Sequence, residues 1–128
     1  MAVKMKRAYD KPAASDGLRV LVDRLWPRGL KKEDLKIDRW IRDVSPSTGL
    51  REWFQHDPAK WPEFRRRYFH ELDQERSAWL PILDMARRGH VTLIFSSRDT
   101  EHNNAVALKD YLEAHLEAKR AGRHRQAA

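Results

Sequence analysis

The sequence has no cysteine. That excludes disulfides, thiol nucleophiles, thiolate zinc sites and iron–sulfur clusters. It has only five glycines, and none falls in a G-x-G-x-x-G or G-x-x-x-x-G-K-[ST] pattern. A glycine-rich loop wrapping a dinucleotide or a triphosphate is therefore not expected. No G-x-S-x-G and no His-Glu-x-x-His occurs, so neither a nucleophile elbow nor a metal site is expected. No apolar run approaches the roughly 18 residues that span a bilayer. The first residues, Met1-Ala2-Val3-Lys4-Met5-Lys6-Arg7, are too broken by charge for a secretory signal. A cytoplasmic protein without a membrane partner is the expectation.

What is present is a chain of 128 residues, 41% apolar, with five tryptophans. That suits a single domain with a real core. The net charge is +7, and Lys119, Arg120, Arg123 and Arg125 contribute four of those charges from the last ten residues. A domain over residues 1–118 and a basic, disordered tail over 119–128 are expected. Arg65-Arg66-Arg67, with Arg51, form a basic surface whose plainest role is a solvated helix face.

Hydrophobic spacing sets the fold class. Val3 to Tyr9 reads as a short strand, and Leu18 to Leu25 as a second, with Leu18, Val20 and Val22 on one face and Leu21 on the other. Ile37, Trp40, Ile41 and Val44 fit a helix or an irregular segment equally well. Pro46-Ser47-Thr48-Gly49 can cap a helix over Leu50 to His56, which Asp57-Pro58 breaks. Trp61, Phe64, Tyr68 and Leu72 mark a clear helix. Another runs from about Ser77 to Arg88, with Pro81 awkward unless in the first turn. Val91 to Phe95 is the best strand, and Val106, Leu108, Leu112 and Leu116 mark a last helix capped by Asp99 or Thr100. The prediction is an α/β protein: a small, mostly parallel sheet covered by helices, in a single domain.

In such sheets ligands bind beyond the carboxyl ends of the strands. Two ends carry more polarity than a core needs. One is Asp23, Arg24, Trp26 and Arg28; the other is Ser96, Ser97, Arg98 and Asp99. Arginines there can hold a phosphate or carboxylate, and Trp26 can wall a pocket. The simpler alternative is that Asp23 pairs with an arginine while the serines cap a helix. His56 beside Asp57, His102, and Asp23 are the groups that could move protons. The expected partner is an anionic small molecule. A nucleic-acid-binding or regulatory module using the basic surface is the alternative. No cofactor is identifiable, and whether the chain is an enzyme is left open.

These same residues carry a resemblance. Leu21-Val22-Asp23-Arg24-Leu25-Trp26-Pro27-Arg28-Gly29 is similar to the signature of the YeaO-like bacterial proteins, a branch of the domain of unknown function DUF488. The resemblance continues through Pro46-Ser47-x-x-Leu50-Arg51-x-Trp53-Phe54-x-His56-Asp57-Pro58, then Trp61-x-x-Phe64-x-x-Arg67-Tyr68. It resumes at Val91-Thr92-Leu93 and runs to Arg98-Asp99-x-x-His102-Asn103. It implies a compact α/β domain and no established activity. The parent group often has cysteines after its last strand, where this chain has Ser96 and Ser97, so thiol chemistry does not carry over.

Overall fold

The computed structural model describes residues 3–127, with side chains through residue 118. The expectation for the tail, residues 119–128, falls on side chains outside that range. The strands are β1 (Val3–Arg7), β2 (Leu18–Leu21), β3 (Arg39–Trp40) and β4 (Val91–Phe95). The helices are α1 (Lys32–Leu35), α2 (Thr48–Phe54), α3 (Trp61–Gln74), α4 (Arg76–Arg88) and α5 (Asn104–Ala127). The sheet order is β1-β4-β2-β3 and each neighbouring pair is parallel. Val91 is in register with Val3 on one side and Leu18 on the other.

Strand β4 is central and buried along its whole length, as its unbroken apolar run requires. Side chains alternate across it. Val91, Leu93 and Phe95 join Val20 and Val22 in a large core under α2, α3, α4 and α5. Ile94 and Leu21 face the other way, into a smaller cluster with Ala8 and Leu35, flanked by Trp26 and Trp40. Each fully buried side chain of this size stabilises the fold by roughly 1.5–3 kcal/mol. The edge of the small cluster is set by a buried ion pair. Arg19 donates to Asp16 at 2.6 Å and to the Leu35 carbonyl at 2.8 Å. Gly17 (φ 64°) makes the turn into β2 against the His90 carbonyl, where a Cβ would lie at 2.3 Å.

Several boundaries differ from those the sequence predicts. Strand β2 ends at Leu21 rather than Leu25, and Leu18 is 41% exposed instead of joining the buried face. The segment around Trp40 is a two-residue edge strand followed by a 3₁₀ turn at Arg42–Val44, because Ile41 N–H pairs with the Leu21 carbonyl instead of a helical partner. Pro81 lies inside α4, past its first turn. The carbonyl it leaves without a helical donor belongs to Ser77, an exposed residue. The last helix starts at Asn104, not after Asp99 or Thr100. Asn103 is its cap: its Oδ1 accepts from Val106 N–H at 3.0 Å. Asp99 caps a separate turn, accepting from Glu101 and His102 N–H at 2.9 Å.

Candidate functional site

The chain leaves neighbouring strands β2 and β4 in opposite directions. After β2 it passes to α1, which packs in the small cluster; after β4 it passes to α5, which packs in the large one. Such a divergence opens a crevice beyond the strand ends. Asp23 widens it. The last ladder bond runs from Val22 N–H to the Ile94 carbonyl. One step later Asp23 Oδ2 accepts from Ser96 N–H at 2.9 Å and from its hydroxyl at 2.7 Å. A side chain thus replaces the backbone as partner, and this is why β2 ends early. The freed Val22 carbonyl accepts from Asn104 Nδ2 at 3.2 Å, which ties α5 to the same point.

A cleft of about 640 Å³ lies at that crevice. Of the residues singled out in the sequence, Asp23, Arg24, Trp26, Arg28, His56, Ser96 and Ser97 line it. Arg98, Asp99 and His102 do not. Arg98 is exposed. His102 Nδ1 lies 3.0 Å from Asp99 Oδ2, and its ring meets the edge of Trp61. The Glu101 N–H bond holds the Asp99 carboxyl below its ordinary range; the His102 N–H and imidazole add to this against the opposing effect of burial.

The simpler alternative for these residues is not what forms. Asp23 meets Ser96 and makes no ion pair with an arginine among the described residues, and Ser97 Oγ accepts from Asp99 N–H rather than capping α5. Arg7 clamps the β4 exit, donating through Nε to the Ser97 carbonyl at 2.9 Å.

Three arginines and two carboxylates, Asp23 and Glu52, line the cleft, and Asp23 is taken up by Ser96. Arg24, Arg28 and Arg51 all line it, and among the described residues none is in an ion pair. The Nε atoms of Arg24 and Arg51 are buried and have no acceptor among the described residues. A buried donor left unmade costs about 1–3 kcal/mol, and more when charged. Arg51 was grouped by sequence with Arg65, Arg66 and Arg67, but the two sets separate. Arg65 pairs with Asp110, while Arg66 and Arg67 share Glu63. Arg67 also lies over Trp53, and Arg65 over Phe69. The triple arginine is thus a partly neutralised helix face, three guanidinium groups against the carboxylates of Glu63 and Asp110, whereas the side-chain bond that Arg51 makes among the described residues, at 3.3 Å, goes to Thr48.

Sequence reasoning also passed over Thr48, Phe54, Phe64, Asn103 and Asn104. Phe64 reads from sequence as part of the buried stripe of its helix and Thr48 as part of a capping loop, and neither pattern marks a residue that also lines a groove.

His56 reaches the cleft through an unusual backbone. Gln55 and His56 both have positive φ, 48° and 55°, a conformation that costs non-glycine residues of order 1–3 kcal/mol. Among the described residues His56 makes no hydrogen bond to Asp57, whose Oδ1 accepts from Ala59 N–H. No histidine hydrogen-bonds Ser96 or Ser97 among the described residues. Also among them, no group of three or more histidines and carboxylates is placed to hold a metal ion, and no helix is long and apolar enough to cross a membrane.

A family model described as "Inactive DUF488-N3 subclade" matches residues 2–128. The uncharacterized protein YeaO of Escherichia coli K12 is 41% identical over 114 residues, which cover 89% of this chain and 99% of that protein. The uncharacterized protein Rv3073c of Mycobacterium tuberculosis is 37% identical over 110 residues, covering 86% of this chain and 92% of that one. No solved structure matches. With the family model matching nearly the whole chain and these relatives covered almost end to end, the chain belongs to the YeaO-like branch of the DUF488 family.

Proposed function

We propose that this protein binds an anionic small molecule, bearing a phosphate or a carboxylate, in the cleft beyond β2 and β4. One observation carries the reading: Arg24 and Arg51, which line the same cleft, form no ion pair among the described residues, and each keeps a buried Nε donor without an acceptor among them. Both side chains are half-buried, and a charge partly shut from water is more stable when it is paired and its donors are hydrogen-bonded. An oxyanion supplies both, and guanidinium geometry suits it. The start of α5 adds to this, because Asn103 and Asn104 line the cleft and a helix N-terminus favours negative charge.

Binding fits better than turnover. The carboxylate of Asp23 holds the Ser96 N–H as well as its hydroxyl, no histidine is hydrogen-bonded to a serine among the described residues, and the matching family model is itself described as inactive.

Calorimetric titration with inorganic phosphate tests this. Saturable binding is expected. Arg24→Ala and Arg51→Ala should each weaken it about tenfold or more, the loss of one charge-assisted hydrogen bond. Arg98→Ala, outside the cleft, should leave it intact. Absence of saturable binding by phosphate and by acetate would overturn the reading.

A further inference from the structure

The loop leaving β2 alternates two chemistries. Arg24 and Arg28 bracket Leu25-Trp26-Pro27, and all five residues line the cleft. The arginines suffice for an anionic head. The three apolar residues between them do nothing for a bare anion. Leu25 is 71% exposed, an apolar side chain left in water at the ligand's door. Trp26 is held in place, donating through Nε1 to the Leu30 carbonyl at 2.7 Å and meeting Trp40 edge-on with ring centres 5.5 Å apart. Other elements contribute Phe54 and Phe64, stacked on each other at 4.3 Å and reaching the same space.

The size of the cleft points the same way. Its volume of about 640 Å³ is some twenty times the roughly 30 Å³ that a water molecule occupies in the liquid. A phosphate or carboxylate group fills a small part of it. Clefts of this size, mostly apolar with a few convergent polar groups, suit organic ligands.

We infer that the anion carries a flat, ring-bearing body, which lies along the Leu25-Trp26-Pro27 segment and the Phe54–Phe64 pair while its acidic head meets Arg24 and Arg51. This rests on the anion-binding reading above and narrows it to a ligand class. Ring burial releases water from Leu25 and Trp26 and adds contact with aromatic faces. It gains little from Arg65 to Arg67, which are already paired.

Two matched pairs of probes test the inference: inorganic phosphate against phenyl phosphate, and acetate against benzoate, each titrated calorimetrically. In at least one pair the ring-bearing member should bind about tenfold more tightly, and the pair that does so identifies the head group. Within that pair, Leu25→Ser and Trp26→Ala should bring the ratio of dissociation constants towards one. Because the ratio is taken within each variant, a partial loss of folded protein cancels, and exposed Leu25 gives a variant that leaves the core untouched. Equal affinities within both pairs, with the plain anion still bound, would overturn this inference and leave anion binding standing. A ratio that survives both substitutions would also overturn it. No binding by any of the four probes would overturn both readings together.

Discussion

Asp23, Arg24, Trp26 and Arg28 were legible because nothing in an apolar strand calls for them. Once Leu21 and Val22 are assigned to the two cores, the polar residues that follow have no packing role to fill. Arg51 was not legible. Its place depends on how α2 lies against the sheet, and its spacing from Leu50 and Phe54 is the same whether it faces water or a cleft. The position of Asp16 was equally hidden, in a turn that reads as a plain Asp-Gly break. Its side chain is 4% exposed and lies between Lys6 and Arg19. Burial pushes its carboxyl up, but hydrogen bonds from Lys6, the Ala13 N–H and Arg19 outweigh that and bring it from 3.8 to about 2. A lowered folded-state pKa means that the carboxylate stabilises the fold above pH 3.8 and that this contribution is lost as the pH falls through about 2. Urea unfolding of the native chain should therefore weaken across that window. Asp16→Asn, which leaves Arg19 buried without its partner, should lose about 3 kcal/mol at pH 7 and lack this acid limb. An unchanged midpoint at pH 7 would show the pair to be inert.

Strong periodicity made α3 and β4 readable, since fourteen residues of α3 keep Phe64, Tyr68 and Leu72 buried on one stripe. Element ends were harder, because the same local bond can serve different elements. Asp99 makes the side-chain bonds of a helix cap, yet they hold an isolated turn, and Asn103 caps α5 instead. Likewise an aspartate after a strand reads as the strand's continuation, when its bond to Ser96 is what stops the ladder. Helix α2 offers a direct check of capping. Ser47 Oγ accepts from Leu50 N–H at 3.2 Å and donates to Glu71 at 2.6 Å. Ser47→Ala should destabilise the protein by about 1 kcal/mol, read as a lower urea midpoint. Since α2 carries Arg51, phosphate affinity should fall as well if the helix start frays. Full retention of both stability and affinity would show that α2 is held by packing alone. At the turn into β2, Gly17→Ala should cost more than 1 kcal/mol, because the new Cβ meets a backbone carbonyl at positive φ.

The fold and the charge of the whole chain point to different partners until their positions are known. A net charge of +7 invites a polyanion, yet Arg65, Arg66 and Arg67 are already engaged with the carboxylates of Asp110 and Glu63. Arg24, Arg28 and Arg51, which form no ion pair among the described residues, instead line a cleft at the point where β2 and β4 send the chain to opposite faces of the sheet. Topology explains the location, since two neighbouring parallel strands with divergent exits leave a gap that no side chain of the core fills. The sequence held the order of elements and so the sheet class; it did not hold the strand order β1-β4-β2-β3, which decides the two exits that meet. Retention of this body on a heparin resin should be weak and lost at low salt, in contrast to a binder whose affinity rests on many phosphate contacts.

The most direct test of the anion site watches the two unpartnered donors themselves. In nitrogen-edited NMR spectra of the arginine Nε–H groups, assigned with Arg24→Lys and Arg51→Lys, titration with phenyl phosphate should move the Arg24 and Arg51 signals together along one saturable curve while those of Arg65 to Arg67 stay in place. Shifts confined to the paired arginines, or none at saturating ligand, would contradict the account.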